Sequence, residues 1–547
     1  METADLVLTG GHVHTVDPGL PRAEAVAVGG ERIVAVGSAA DVADWIGPRT
    51  RVVDLAGRLL LPGFQDAHVH PTTGGMDLLE CDVREHLGRR ETLAAIAAYV
   101  AAHPEKAWIV GSGWYMGDFE NGTPRREDLD AIVADRPAIL PNRDGHSSWV
   151  NSRALDLAGI DATTPDPPDG RIERDPDGTP TGTLHEGAAT LVERLIPSHT
   201  DTDWDEAFIA GQAYLHRFGI TAWQDAIVTP TTLAIYRRAA DSGRLTARVE
   251  AALWWERDRG GEQVDEFLAA SRSLPPGQLR ANSVKLMLDG VAETFTASMV
   301  DPYLDASGEP TTNRGIDFID PGALKDYVTR LDAAGLQPHF HALGDRAVRN
   351  ALDAVAAARA ANGMTDTRPH LAHIQVVHPD DLPRFAELGA IANAQPLWAC
   401  HDPQMDVLTM PFLGPERAAW QYPFAPLLRS GARLAMGSDW SVSTPDPLVE
   451  IEVAVNRLLR HPLLHDLAPF LPAERITLEQ AIHGFTMGSA YVNHLDGDSG
   501  SISVGKLADL AVVDRDLFAL DAGPIGDARV LATVVGGAVV FEDPALG

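Results

Sequence analysis

The sequence predicts an α/β fold: a (β/α)8 TIM barrel with a small composite β-sandwich domain from both termini and a large insertion after barrel strand 1. Three observations lead there. Between about residues 60 and 500, apolar strand-like runs alternate with Ala/Leu/Arg-rich helical stretches, the pattern of repeated βα units in a parallel sheet. Short β runs recur at both ends of the chain. A stretch of about 150 residues rich in Pro, Asp, Gly and Trp separates the first two barrel strands, far beyond an ordinary βα connection.

The N-terminal strands are expected at 6–8, 25–28 and 32–36, with Gly29-Gly30 as a hairpin signal between the last two. The C-terminus repeats the style at 510–513, 533–535 and 538–541, with Gly536-Gly537 as the turn. Residues 1–60 and 500–547 are therefore expected to form one composite domain. The barrel takes 61–499, with its insertion at about 75–215. Eight strand candidates end near His68-Val69-His70, Trp223-Gln224-Asp225, Leu253-Trp254-Trp255, Lys285-Leu286-Met287, His339-Phe340-His341, His373-Ile374-Gln375, Ala394-Gln395-Pro396 and Gly437-Ser438-Asp439. Eight is the number that closes a TIM barrel. Within the insertion, the acidic, proline-rich segment 163–180 predicts turns or a hairpin.

A chain of 547 residues exceeds what one core usually serves, and its 45% hydrophobic share is ordinary for a soluble protein. No run approaches the roughly 20 apolar residues that span a bilayer, and the first residues lack the basic start of a signal peptide, so a cytoplasmic location is expected. A formal net charge of −33 argues against nucleic acid or an anionic membrane as partner. The expected partner is a small-molecule substrate, and the expected assembly a homodimer. Cys81 and Cys400 have no metal-ligand spacing and read as buried thiols.

The chemistry-bearing residues gather at the C-terminal ends of the proposed strands, where TIM-barrel enzymes place their active sites. His68 and His70 alternate along a strand, so both imidazoles can reach one ion, and imidazole suits zinc, iron, nickel or manganese. The triplet alone is weak, and the chain supplies a control: His12-Val13-His14 has the same letters but lies in the terminal β region, where it reads as structural or surface. Taken singly, His341, His373 and Asp439 could each be a satisfied core histidine or a helix cap. Their joint occurrence at the ends of strands one, five, six and eight points to a metal site.

The segments LPGFQDAHVHP (61–71), HSSWVNSRALDLAGI (146–160), GITAWQDA (219–226), SVKLMLDG (283–290), HFHALGDRAV (339–348), LAHIQ (371–375), MGSDWSVSTPDP (436–447) and GSISVGKLADLAVVDRD (500–516) resemble the amidohydrolase superfamily. The likeness is to its amidohydrolase-3 branch, which includes YtcJ-like proteins and N-substituted formamide deformylase. The resemblance implies a metal-dependent hydrolase of carbon–nitrogen bonds in non-peptide amides, formamides or cyclic amides. It implies His68 and His70 as ligands of a more buried metal, and His341 and His373 as ligands of a second. Asp439 would be a further ligand and the catalytic base. Lys285 matches a carboxylated lysine that bridges two divalent ions, expected to be Zn2+. A salt bridge from Lys285 to Asp289 or Glu293 is the alternative. His339, Trp114, His146, Glu186 and Asp289 are expected at the substrate pocket, by resemblance or position alone. His339, on the same face as His341, is expected behind the ligands or against substrate. The aromatic residues Trp108, Trp114, Tyr115, Trp149, Trp254, Trp255 and Trp398 suggest an apolar or aromatic substrate, or else packing of the insertion.

The implied reaction is attack by a metal-activated water on a carbonyl, with Asp439 moving the proton to the leaving nitrogen. The alternatives are a one-metal deaminase or N-acyl-amino-acid deacylase with Lys285 uncarboxylated, and a regulatory homologue without metal. The last should lack several ligands, whereas all six positions are filled.

Overall fold

The structure, a computed structural model, describes residues 3–86, 88–460 and 467–546. At its centre eight parallel strands run side by side in chain order: β1 (Phe64–Val69), β2 (Ile220–Val228), β3 (Arg248–Trp254), β4 (Leu279–Met287), β5 (Gln337–Ala342), β6 (His370–His373), β7 (Ile391–Ala394) and β8 (Arg433–Met436). Covered on both faces, these strands are apolar and almost wholly buried, as parallel sheets require. The barrel seam is joined just past the strand ends, where the Asp439 N–H donates to His68 O (2.7 Å) and the His70 N–H to Trp440 O (2.6 Å). Gly437 permits this approach, since a Cβ there would lie 2.5 Å from the His68 nitrogen. The (β/α)8 prediction holds.

Strands from both ends of the chain share a sheet. Its order is Ala538–Glu542, Val530–Val535, Leu510–Val513, Leu59–Pro62, His12–His14 and Arg22–Ala23. A second sheet orders Arg32–Gly37, Ala25–Gly29, Leu6–Thr9 and Arg51–Asp54, and a buried cluster including Leu8, Val28, Leu60, Leu510 and Val534 lies between them. Leu59–Pro62 thus belongs to the terminal sheet and leads directly into β1.

Between β1 and β2, a six-stranded sheet orders Gly170–Arg174, Pro180–Glu186, Ser147–Val150, Ala138–Pro141, Ile109–Ser112 and Cys81–Asp82. Gly170–Arg174 and Pro180–Glu186 pair antiparallel, so the acidic segment leads into a hairpin. One core of this insertion is built on Trp114, Phe119 and Trp149. Helix Asp201–His216, opened by a Thr200/Asp203 capping box, then returns the chain to β2. No helix among the described residues is long and apolar enough to cross a membrane.

Candidate metal centre

His68 lies within β1, and His70 one residue past it caps the helix Pro71–Leu79. The β8 loop brings Asp439 against both: its Oδ1 is 2.9 Å from His70 Nε2 and 3.3 Å from His68 Nε2, and its Oδ2 is 3.8 Å from His373 Nδ1. One ligand atom from each of His68, His70 and Asp439 falls within 4.8 Å of the others. Lys285, on β4, places Nζ 3.3 Å from His68 Nε2. The rings of His341 and His373 lie 4.4 Å apart between centroids. All six residues line one cavity.

These groups are charged and polar, yet most of them are buried. Burial drives His68, His341 and His373 well below the usual imidazole range, leaving the neutral form that binds metal. Burial likewise pulls Lys285 down to about 7 against the attraction of Asp439 and Asp225. Burial alone would raise Asp439, but the His70 hydrogen bond and the surrounding His373, His70 and Lys285 outweigh it and hold the carboxyl below its ordinary value. His341 Nε2, both ring nitrogens of His373 and His70 Nδ1 are buried without a hydrogen-bond partner. An orphaned buried polar atom costs about 1–3 kcal/mol, so several at one point suit a bound group that accepts their lone pairs. Imidazoles plus a carboxylate are the donor set of a divalent cation, and the residues present fit one.

The backbone carries strain at the same place. Asp439 (φ 56°) and His373 (φ 75°) adopt left-handed conformations that non-glycine residues pay about 1–3 kcal/mol to hold. Behind the ligands, Asp66 Oδ1 accepts the His68 and Ser438 N–H groups (2.9 and 3.1 Å), and its Oδ2 accepts Ser438 Oγ (2.6 Å). Asp66 thus clamps β1 to β8, and burial pushes its carboxyl up to about 7. At the end of β2, Asp225 accepts the Tyr236 hydroxyl (2.7 Å).

The sequence-derived substrate residues divide. His146 lines the cavity, and Glu186 stands directly behind it with Oε1 and Oε2 3.0 and 3.1 Å from His146 Nδ1. His339 is wholly buried and points Nε2 at His68 Nδ1 (2.8 Å), so it backs His68 and does not line the cavity. Asp289 is buried too; it accepts the N–H groups of Ser298, Leu343 and Gly344 and lies 3.9 Å from His341 Nε2, which makes it an anchor for the loops beside that histidine. Trp114 is a correction. Its indole is buried in the insertion core, donating to Leu140 O and packing edge-on against Phe119 and Trp149, and it does not reach the cavity. Trp108, Trp149 and Trp255 likewise pack inside the protein or against its core, whereas Tyr115, Trp254 and Trp398 line the cavity. Lys285 neighbours His68 and Asp439, and no ion pair with Asp289 or Glu293 forms among the described residues. His12 and His14 lie in the terminal sheet, His14 against Phe518 and Arg22.

The cavity, of about 290 Å3, has an apolar side of Ile227, Trp254, Met287, Leu343, Leu397 and Trp398, with Trp398 stacked over His373 (5.6 Å, 25°). Arg143, Asp144 and Asp402 also line it. Arg143, Asp402, Tyr422 and Asp66 were not singled out from sequence. Asp66 had a signal, since Asp66, His68 and His70 alternate along one strand; the others come from loops without periodicity.

A model of the Amidohydrolase family matches residues 51–541. The chain is 32% identical to Protein LONG AFTER FAR-RED 3 of Arabidopsis thaliana, over 98% of this chain and 92% of that one. It is 28% identical to the N-substituted formamide deformylase of Arthrobacter pascens, over 98% of each. Among solved structures, an uncharacterized metal-dependent hydrolase from Pyrococcus furiosus is similar with a TM-score of 0.70 at 27% identity, over 93% of this chain and 99% of that one.

Proposed function

The chain belongs to the Amidohydrolase family, as a metal-dependent hydrolase of carbon–nitrogen bonds, and on that footing we propose that it cleaves non-peptide amides, formamides or cyclic amides. The observation that carries this reading is the convergence of His68, His70 and Asp439 within 4.8 Å, beside the unpartnered nitrogens of His341 and His373. His68, His70 and Asp439 would hold one Zn2+ and His341 and His373 a second. A divalent cation there supplies a polarised carbonyl and a water acidic enough to attack near neutral pH. Asp439, kept ionised by its histidine neighbours, takes the proton of the attacking water and delivers it to the leaving nitrogen. The burial of these side chains strengthens each of these interactions.

Lys285 would carry a carbamate. A neutral amine adds CO2 with loss of a proton, and burial lowers the Lys285 pKa to about 7, where much of it is neutral. In the one-ion alternative Lys285 stays an amine and the reaction is a deamination or N-acyl-amino-acid deacylation. Among the described residues one close set of three forms, His68, His70 and Asp439, which favours that alternative.

Two measurements test these readings. A screen of N-substituted formamides, N-acyl amino acids and cyclic imides is expected to find turnover that a chelator abolishes; turnover of none of them contradicts the proposed substrate classes. Metal-depleted enzyme is expected to recover more activity with metal plus bicarbonate than with metal alone, and equal recovery contradicts the carbamate.

A further inference from the structure

The insertion sends several ionisable side chains into the cavity, and His146 is the one whose ring lies beside a barrel histidine, His341. Residues 142–147 form a tight turn in which the Asn142 N–H donates to Ser147 O (2.7 Å) and the Ser147 N–H to Asn142 Oδ1 (3.0 Å). The His146 N–H donates to Asp144 Oδ1 (2.9 Å), which fixes the residue at the turn. Strand pairing then brings Glu186 alongside, its N–H donating to His146 O (2.9 Å). A carboxylate only accepts hydrogen bonds, so the contact of both Glu186 oxygens with His146 Nδ1 makes that nitrogen the donor.

The barrel itself secures this pair. Thr296, in the loop after β4, donates its hydroxyl to Glu186 Oε1 (2.9 Å). Gly290 leaves room for the contact, because a Cβ there would lie 2.0 Å from Thr296 Oγ1 and 2.7 Å from Glu186 Oε1. His146 Nε2 bonds to no protein atom among the described residues, while the ring lines the same cavity as His341 and Asp439, 5.8 Å between ring centroids from His341. A residue that merely tied the hairpin to the barrel would have no reason to leave Nε2 open to the cavity.

Resting on the hydrolase reading above, we propose that His146 is a catalytic residue whose Nε2 contacts the acyl oxygen of the substrate, with Glu186 and Thr296 as the residues that position it. The groups facing the ring are Glu186 and Asp144 from the insertion, Asp439 from the β8 loop and the neutral His341 from β5. Both Glu186 oxygens lie against Nδ1, the geometry of an ion pair, which favours the doubly protonated imidazolium. The ring then presents an N–H to an oxygen that gains negative charge as water adds, the interaction that counts most when it strengthens in the transition state.

The test uses the metal-replete enzyme, an N-substituted formamide as substrate, and formate as a probe carrying the charged oxygens of a cleaved acyl group. His146→Gln is expected to lower kcat/KM by about 10²- to 10³-fold, chiefly through kcat, with metal content unchanged. It is also expected to weaken formate binding, read by calorimetry, about tenfold or more. Glu186→Gln is expected to keep the fold and metal and to weaken formate binding in the same direction, because the imidazolium loses the carboxylate that holds Nδ1. A His146→Gln enzyme unchanged in both kcat/KM and formate affinity overturns the proposal, as does one that loses metal, which would make His146 a ligand. If His146→Gln does not fold, a Glu186→Gln enzyme unchanged in both kcat/KM and formate affinity overturns it. Formate binding needs no turnover: a wild-type protein that cleaves no carbon–nitrogen bond, beside a variant with weakened formate binding, sinks the hydrolase reading and leaves the His146 contact standing.

Discussion

Asp439→Asn is expected to lower kcat/KM by about 10²- to 10⁴-fold at saturating metal, a loss of about 3–5 kcal/mol of transition-state stabilisation. The carboxylate does two things at once. Its Oδ1 stands 2.9 Å from His70 Nε2 and 3.3 Å from His68 Nε2, so it closes the donor set, and it is the one carboxylate at the ligands that its surroundings hold ionised. Asparagine keeps the volume but removes the charge and the ability to accept a proton. The backbone at 439 is left-handed, a conformation asparagine tolerates, so the substitution is also mild for folding. The measurement is steady-state kinetics on the best substrate of the screen, with metal content determined on the same sample. A loss below about tenfold means that proton transfer runs through another group.

His339→Phe is expected to weaken metal binding by about 10- to 100-fold without changing the ligand set. For His68 Nε2 to offer a lone pair to a cation, Nδ1 must carry the proton, and it donates that proton to His339 Nε2 at 2.8 Å. His339 is held in turn by His370, whose ring lies 4.0 Å away and whose Nε2 is 2.9 Å from Gln224 Oε1. Phenylalanine preserves the packing and the ring stack but leaves His68 Nδ1–H buried without an acceptor, which frees the tautomer and orientation of a ligand. Competition with a chelator of known affinity reads the effect. Unchanged metal affinity in a folded variant would show that His339 only fills space.

The barrel and the six residues gathered in its cavity were legible in the sequence for one physical reason: a parallel strand is an apolar run, and the polar residues that end it stand out. That is why His68, His70, Lys285, His341, His373 and Asp439 could be picked out although most of the chain separates the first from the last. It is also why the same triplet at His12 and His14 could be set aside, since no other strand ends beside it. Period two along β1 carried Asp66 as well, but nothing local said that its partner would be Ser438 across the barrel seam. The cavity wall was less legible. Trp114 and Tyr115 are neighbours in sequence, yet one indole is sealed in the insertion core while the phenol next to it lines the cavity. Only the fold of the insertion decides which faces inward. Arg143, Asp402 and Tyr422 come from irregular loops, where no hydrophobic period reports direction.

The most direct test of the account is the metal content of the purified protein, measured together with its hydrolysis of carbon–nitrogen bonds before and after chelation. The account predicts one or two divalent ions per chain, activity lost when they are withdrawn, and activity restored when Zn2+ is returned. A protein that binds no stoichiometric divalent metal, or one whose hydrolysis survives complete metal removal, would contradict it.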